Sequence, residues 1–215
     1  MTKSRSGKKK TTTQELRTRP VTSAEGSGRL RTALTLSEAV LGEIETLMEE
    51  LDATGEFDVL LIGDGSGSKF GHSAGWACVS ILRQSWEPRL WAGACNDGTN
   101  NLAELAAFLF PLGYFISQKR PAGEVLRIHI VTDSEVTARN GQQTTKGVCP
   151  AFGTSQGLWW RWIAEAREHG VLLTWHHRPR ATLWLNSFAD TVSKSARKGF
   201  ASLELFHLDN DGKQA

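Results

Sequence analysis

Apolar positions along the chain change period at about residue 55, and the change divides it into helical and extended segments. Leu36, Val40, Ile44, Leu47, Met48 and Leu51 fall on one helical stripe, which predicts a helix over 36–52, with Thr35 and Glu38 spaced as a capping box. FDVLLIG (57–63) is a short continuous apolar run of the kind a buried central strand shows. GWACVSIL (75–82) and RLWAGAC (89–95) are two further strands separated by the turn-like QSWEP. Three strands with short connections predict an antiparallel meander.

Helical spacing returns in NLAELAAFLFPLGYFIS (101–117) through Leu102, Leu105, Ala106 and Leu109, with Pro111 expected to kink or end the first part. VLRIHIVTD (125–133) predicts a strand that runs into a short helix, SEVTARNG (134–141). Residues 142–154 show no period and predict a loop. SQGLWWRWIAEAREHG (155–170) predicts a helix between Ser155 as N-cap and Gly170 just past the end. VLLTWHHR (171–178) is a fifth strand and LNSFADTVSKSARK (185–198) a closing helix. The order βββαβαβα implies an α/β fold built on a five-stranded mixed sheet flanked by helices, with an extra N-terminal helix.

Charge sharpens this outline at one end. Residues 1–35 hold nine basic side chains against Glu15 and Glu25, a surplus of about +7, and the total of +2 leaves the remainder at about −5. The first 34 residues, poor in apolar clusters, are expected to form a basic disordered tail suited to a polyanionic partner. The chain opens on polar residues, and no apolar run approaches the roughly 20 residues of a membrane span, so no membrane role is expected. Cys78, Cys95 and Cys149 make no CxxC pair. Together these features fit a soluble, reduced, cytoplasmic protein.

The candidate chemistry lies in four carboxylates. Asp64 ends the first strand, Glu104 stands in the following helix, Asp133 ends the fourth strand, and Asp190 lies in the last helix. Taken singly, each has an ordinary explanation: a turn former, a solvated helix position, a helix cap, a polar outer face. Together, at one end of one sheet, they would repel unless a cation joined them. The set therefore points to a metal-dependent reaction. Gly65, Ser66 and Gly67 after Asp64 permit a tight turn and a close backbone approach.

These local sequences resemble the type 1 ribonuclease H family. DGS at 64–66, TNNLAEL at 99–105, TDS at 132–134 and the Asn186 to Asp190 spacing match stretches that each supply one carboxylate there. The resemblance implies a ribonuclease H-like catalytic domain over 57–200, preceded by a tail (1–34) and a helix (35–53) and followed by a C-terminal tail (201–215). It implies an endoribonuclease that cuts the RNA strand of RNA–DNA hybrids, leaving a 3′-hydroxyl and a 5′-phosphate. Asp64, Glu104, Asp133 and Asp190 would be the catalytic residues and would hold two Mg²⁺ ions, with Mn²⁺ an acceptable substitute because both take carboxylate ligands. Thr99, Asn100 and Asn101 match nucleic-acid-contacting positions.

Two departures from the family pattern stand out. A loop histidine is expected before the last helix, but Arg180 occupies that place; His176 and His177 are the nearest candidates for proton transfer. Arg178 and Arg180 offer phosphate contacts instead. The basic helical handle that grips DNA in many members has no room in 142–154, where Lys146 is the one basic residue, so the N-terminal arm is expected to supply part of that grip. Trp159, Trp160 and Trp162 share a helix and are expected to be mainly core. Two other readings fit the same residues: a structure-specific or DNA-directed nuclease on the same fold, and a non-catalytic hybrid- or RNA-binding module.

Overall fold

The computed structural model describes residues 19–20, 29–68, 73–96, 98–147 and 156–199. The elements run β1 (Arg19–Pro20), β2 (Arg29–Ala33), α1 (Glu38–Asp52), β3 (Val59–Gly67), β4 (Ser73–Leu82) and β5 (Pro88–Asn96), then α2 (Asn100–Ser117), β6 (Leu126–Thr132), α3 (Glu135–Thr145), α4 (Gln156–Glu168), β7 (Val171–His177) and α5 (Trp184–Arg197). Among the described residues one sheet contains every strand, in the order β1-β2-β5-β4-β3-β6-β7. Its β1 to β3 part pairs antiparallel, while β3, β6 and β7 are parallel. The five strands read from the sequence are all present, in the expected mixed arrangement. Among the described residues no helix is long and apolar enough to cross a membrane.

Strand alternation sorts side chains to two apolar layers. Leu60 and Ile62 of β3 face α1 and α5, in a cluster with Ile44, Leu51, Val79, Leu90, Phe188 and Val192. Val59 and Leu61 face α2 and α4, in a cluster with Leu105, Phe108, Leu112, Ile130 and Trp175. The sheet is thus covered on both faces, and β3 lies near its centre. The end of β3 is the part of the strand left for chemistry.

The structure departs from the sequence reading at several points, each with a physical reason. A disordered tail through residue 34 does not describe Arg29–Ala33, which pairs antiparallel with β5 from Arg29 opposite Gly93 to Ala33 opposite Arg89. Such a strand, near the edge of the sheet, is held by backbone hydrogen bonds and needs no apolar run. Leu34 continues the extension, donating from its N to Pro88 O at 3.0 Å. The chain therefore turns helical only at Glu38, and Ser37, not Thr35, caps α1 by accepting from Val40 N. Residues 1–18, 21–28 and 201–215 of the expected tails lie outside the described residues.

Helix α2 runs unbroken through Pro111, with Phe108, Leu112 and Phe115 buried on either side of it. Burial in the apolar layer outweighs the hydrogen bond the proline removes. Helix α3 reaches Thr145, beyond the expected end at Gly141. Gly141 is there for packing, since a Cβ on it would lie 2.3 Å from the Trp175 ring. The rest of the expected loop, and Ser155 as a cap, lie outside the described residues, as do the side chains of Trp159 and Trp160. Trp162 packs against the second core cluster, as expected.

Candidate active site

Four elements bring the carboxylates together. Asp64 sits within β3, which continues to Gly67 paired with Ala74 of β4, so the expected tight turn directly after it is absent. The expected close approach is present. A Cβ on Gly65 would lie 2.1 Å from Glu104 N, and one on Gly67 would lie 2.3 Å from Asn100 N. One on Gly63 would lie 2.9 Å from the Phe108 ring. Three glycines at strand period thus meet three α2 residues one helical turn apart, and the helix rests directly on the strand. That contact brings Glu104, which the second apolar layer surrounds, to the end of the sheet.

On the opposite face a Cβ on Gly75 of β4 would lie 2.1 Å from Ser193 O, so α5 also lies close against the sheet. This brings Asp190 and Ser193 toward Asp64. Asp133 follows β6 directly and precedes Ser134, whose hydroxyl caps α3 by accepting from Thr137 N. Capping of α3 is therefore the work of Ser134, and the Asp133 carboxylate is left for the site.

Asp64, Glu104 and Asp133 each offer an oxygen within 4.8 Å of the others. Asp64 and Glu104 are 1% and 4% exposed. Glu104 Oε1 accepts from Asn100 Nδ2 at 3.5 Å, but its Oε2 is buried with no hydrogen-bond partner. Burial, with Asp133 beside it, pushes the Asp64 carboxyl up to about 8. Burial, with Asp64 and Asp133 as neighbours, pushes Glu104 up to about 9. Groups held this far from their ordinary range by desolvation and like charge are what a cation would relieve. An all-oxygen donor set with one unpartnered buried oxygen fits a hard divalent ion such as Mg²⁺.

Basic and hydroxyl groups rim the cluster. Arg180 donates from Nε to Asp133 Oδ2 at 2.5 Å and from Nη2 to Asp64 Oδ1 at 3.5 Å, and its Nη1 lies 3.5 Å from Asp190 Oδ1. Lys194 Nζ pairs with Asp190 Oδ2 at 2.6 Å. Ser193 Oγ lies 3.4 Å from Asp64 Oδ2 and 2.9 Å from Asp190 O. Arg197 Nη1 donates to Gly67 O at 2.8 Å and ties the end of α5 to the end of β3. The sequence reading missed Ser193, Lys194 and Arg197. Their positions three, four and seven residues after Asp190, on one helical face, were the available signal.

The remaining expected residues divide. Thr99 caps α2 by accepting from Leu102 N, and Asn100 Oδ1 accepts from Gly67 N at 2.9 Å. Asn101 is exposed beside them. The Arg178 guanidinium pairs with Glu50 of α1 at 2.5 Å and makes none of the ion pairs that join Arg180 and Lys194 to the carboxylates. His177 is exposed, with Nε2 3.2 Å from Asp133 O. His176 faces the other way, its ring tilted at 35° to that of His129 with Nε2 3.1 Å from His129 Nδ1. Burial, with His129 and Arg178 nearby, lowers His176 to about 4. Of the two histidines only His177 lies beside a site residue.

No protein-family model and no curated protein matches the sequence. Solved structures do match the fold. The N-terminal RNase H domain of a Mycobacterium tuberculosis protein, solved as a fusion with maltose binding protein, superposes with a TM-score of 0.51 at 19% identity, covering 66% of this chain and 95% of that one. LC11-RNase H1 in complex with an RNA/DNA hybrid gives 0.54 at 21% identity, covering 67% of this chain and 99% of that one. The foamy viral protease–reverse transcriptase in complex with an RNA/DNA hybrid gives 0.50 at 18% identity, covering 66% of this chain and 20% of that one. The chain has a ribonuclease H-like fold, extended at its β5 edge by β2 and β1.

Proposed function

We propose that the protein is a divalent-metal-dependent endonuclease that hydrolyses the RNA strand of RNA–DNA hybrids, leaving a 3′-hydroxyl and a 5′-phosphate. The observation that carries this reading is the meeting of Asp64, Glu104, Asp133 and Asp190 from four separate elements, with Glu104 Oε2 buried and unpartnered. Asp64, Glu104 and Asp133 would hold Mg²⁺ or Mn²⁺, two ions with Asp190 as the further ligand. The ions would supply an acidified water and stabilise the leaving oxygen of an in-line displacement. LC11-RNase H1 and the foamy viral protease–reverse transcriptase, which share the fold and are both solved with RNA/DNA hybrids, support the choice of substrate.

The chain's own residues hold the substrate in this reading. Asn101, exposed at the start of α2, reaches the nucleotide beside the cut, and Asn100 is braced by Gly67 N for the same task. Such contacts can read the 2′-hydroxyl that separates RNA from DNA. The first turn of α2, capped by Thr99, presents backbone N–H groups to a phosphate. His177 is placed to accept or return a proton at the edge of the site. The basic segment 1–18 supplies added grip on the hybrid, and the protein acts in the cytoplasm.

The test is cleavage of hybrid, double-stranded RNA and double-stranded DNA in Mg²⁺ by the wild type, Asp64→Asn and Asp133→Asn. Hybrid-selective cutting, lost in both variants while circular dichroism is unchanged, is the expected result. Retained cutting in either variant refutes the assignment. Preference for double-stranded DNA would favour a DNA-directed nuclease, and hybrid binding without turnover a non-catalytic module.

A further inference from the structure

Arg180 is unlike the other basic residues near the site, because one guanidinium reaches three carboxylates from three different elements. Its side chain is 53% exposed, while those of Asp64, Asp133 and Asp190 are 1%, 7% and 16% exposed, so it enters the cluster from the solvent side. The backbone that carries it is tied to α1. Arg178 is held by Glu50, and Trp184 N donates to Glu43 Oε1 at 2.7 Å, so α1 grips the 178–184 segment at both ends. Movement is left to the side chain. Glu104 lies outside the guanidinium's hydrogen bonds, and its Oε2 has no partner, so one monovalent cation leaves the cluster incompletely matched.

We infer that Arg180 is an internal counter-cation that competes with divalent ions for the oxygens of Asp64, Asp133 and Asp190, and that an entering ion displaces it outward to meet a phosphate of bound nucleic acid. This rests on the metal-dependent reading above and adds an exchange step to it. The guanidinium and a divalent ion seek the same carboxylate oxygens from the same side. Held together they repel, and the exposed, long side chain is the partner that can leave. Once outside, its planar fork suits a phosphate as well as it suits a carboxylate. A lysine at this position would meet the three carboxylates only as a point charge.

The experiment uses the full chain and two readouts. Mg²⁺ binding is titrated calorimetrically at about pH 9, where protons compete least for the carboxylates, in wild type, Arg180→Lys and Arg180→Gln. In parallel, the Arg180 Nε–H resonance, identified by its loss in Arg180→Lys, is followed in ¹⁵N-labelled wild type as Mg²⁺ is added. The expected result is Mg²⁺ binding roughly tenfold tighter in Arg180→Gln, with Arg180→Lys between, as giving up the guanidinium's attraction to a carboxylate about 3 Å away requires even at water-like dielectric. The Nε–H signal should shift and exchange faster at saturation. Equal or weaker binding in Arg180→Gln, or an unchanged Nε–H signal in saturated wild type, overturns the inference and leaves the nuclease reading standing. A wild type that binds neither Mg²⁺ nor Mn²⁺ overturns both.

Discussion

Replacing Gly65 by alanine tests whether the contact between β3 and α2 builds the site. The added Cβ would lie 2.1 Å from Glu104 N, 2.3 Å from Ala103 C and 2.6 Å from Glu104 Cα. All three are backbone atoms, so no rotamer change relieves the clash. Ordinary contact begins at 3.4 Å, which means α2 must retreat by more than 1 Å. That retreat opens gaps around Leu105 and Phe108, both fully buried against the sheet. Overpacking costs about 1–3 kcal/mol and occasionally more, and lifting a whole helix places Gly65→Ala at about 3 kcal/mol or above. Gly42 in α1 is the control, since nothing lies within 4 Å of its added Cβ. Gly42→Ala should stabilise by up to about 1 kcal/mol through helix propensity. Equilibrium urea unfolding, followed by tryptophan fluorescence and circular dichroism, measures both. A Gly65→Ala variant within about 0.5 kcal/mol of wild type would refute the reasoning.

Other outcomes follow from the charges. Asp64 and Glu104 have folded values raised to about 8 and about 9. Without metal, the folded state keeps protons that the unfolded state has lost, so stability should fall as pH rises from about 4 to about 9. Saturating Mg²⁺ should abolish the loss near pH 8, and thermal melts in chelator and in Mg²⁺ that run parallel across this range would contradict the site. His176, lowered to about 4, acts in the opposite direction. Its contribution is full above the unfolded value of about 6.5 and is lost as pH falls toward 4. His176→Gln should flatten that acid limb, and an unchanged acid limb would count against the buried pairing with His129. Deleting residues 1–18, with Lys3, Arg5, Lys8, Lys9, Lys10 and Arg17, should weaken hybrid binding and lower its salt dependence; equal affinity at every salt concentration would exclude the arm from the grip.

What the sequence disclosed and what it concealed have the same origin. Strand β3 and helix α5 were legible because burial on a sheet face forces apolar residues into a period, and the period is written in the residues themselves. Asp64, Glu104, Asp133 and Asp190 were legible because each follows or interrupts such a run. Backbone-driven features leave no such trace. The pairing of Arg29–Ala33 with β5 uses hydrogen bonds that any residue supplies. Gly141 resembled a helix stop, yet it makes room for Trp175 from a strand more than thirty residues away. Pro111 resembled a break, and only the apolar layer around it explains why α2 continues. Arg178 and Arg180, two residues apart and alike in sequence, part company because Glu50 claims one and the carboxylates claim the other.

The same distinction governs how the site is held. Burying Asp64 and Glu104 is unfavourable, so their placement must be imposed by residues that gain from it. Gly63, Gly65 and Gly67 let α2 settle on β3, and Gly75 lets α5 settle on β4, while Leu105, Phe108, Phe188 and Val192 supply the apolar burial that drives both contacts. Each gripping helix carries its carboxylate to the sheet's end as a consequence of packing that does not involve the carboxylate. Removing a charge at Asp64 or Glu104 should therefore relieve strain and leave the architecture intact, whereas adding a methyl group at Gly65 should disturb both the fold and the site. Opposite stability changes for Asp64→Asn and Gly65→Ala, measured in chelator at about pH 8, are the signature of a site imposed on the fold by its neighbours; losses of equal size would mean that the carboxylates themselves hold the helices in place.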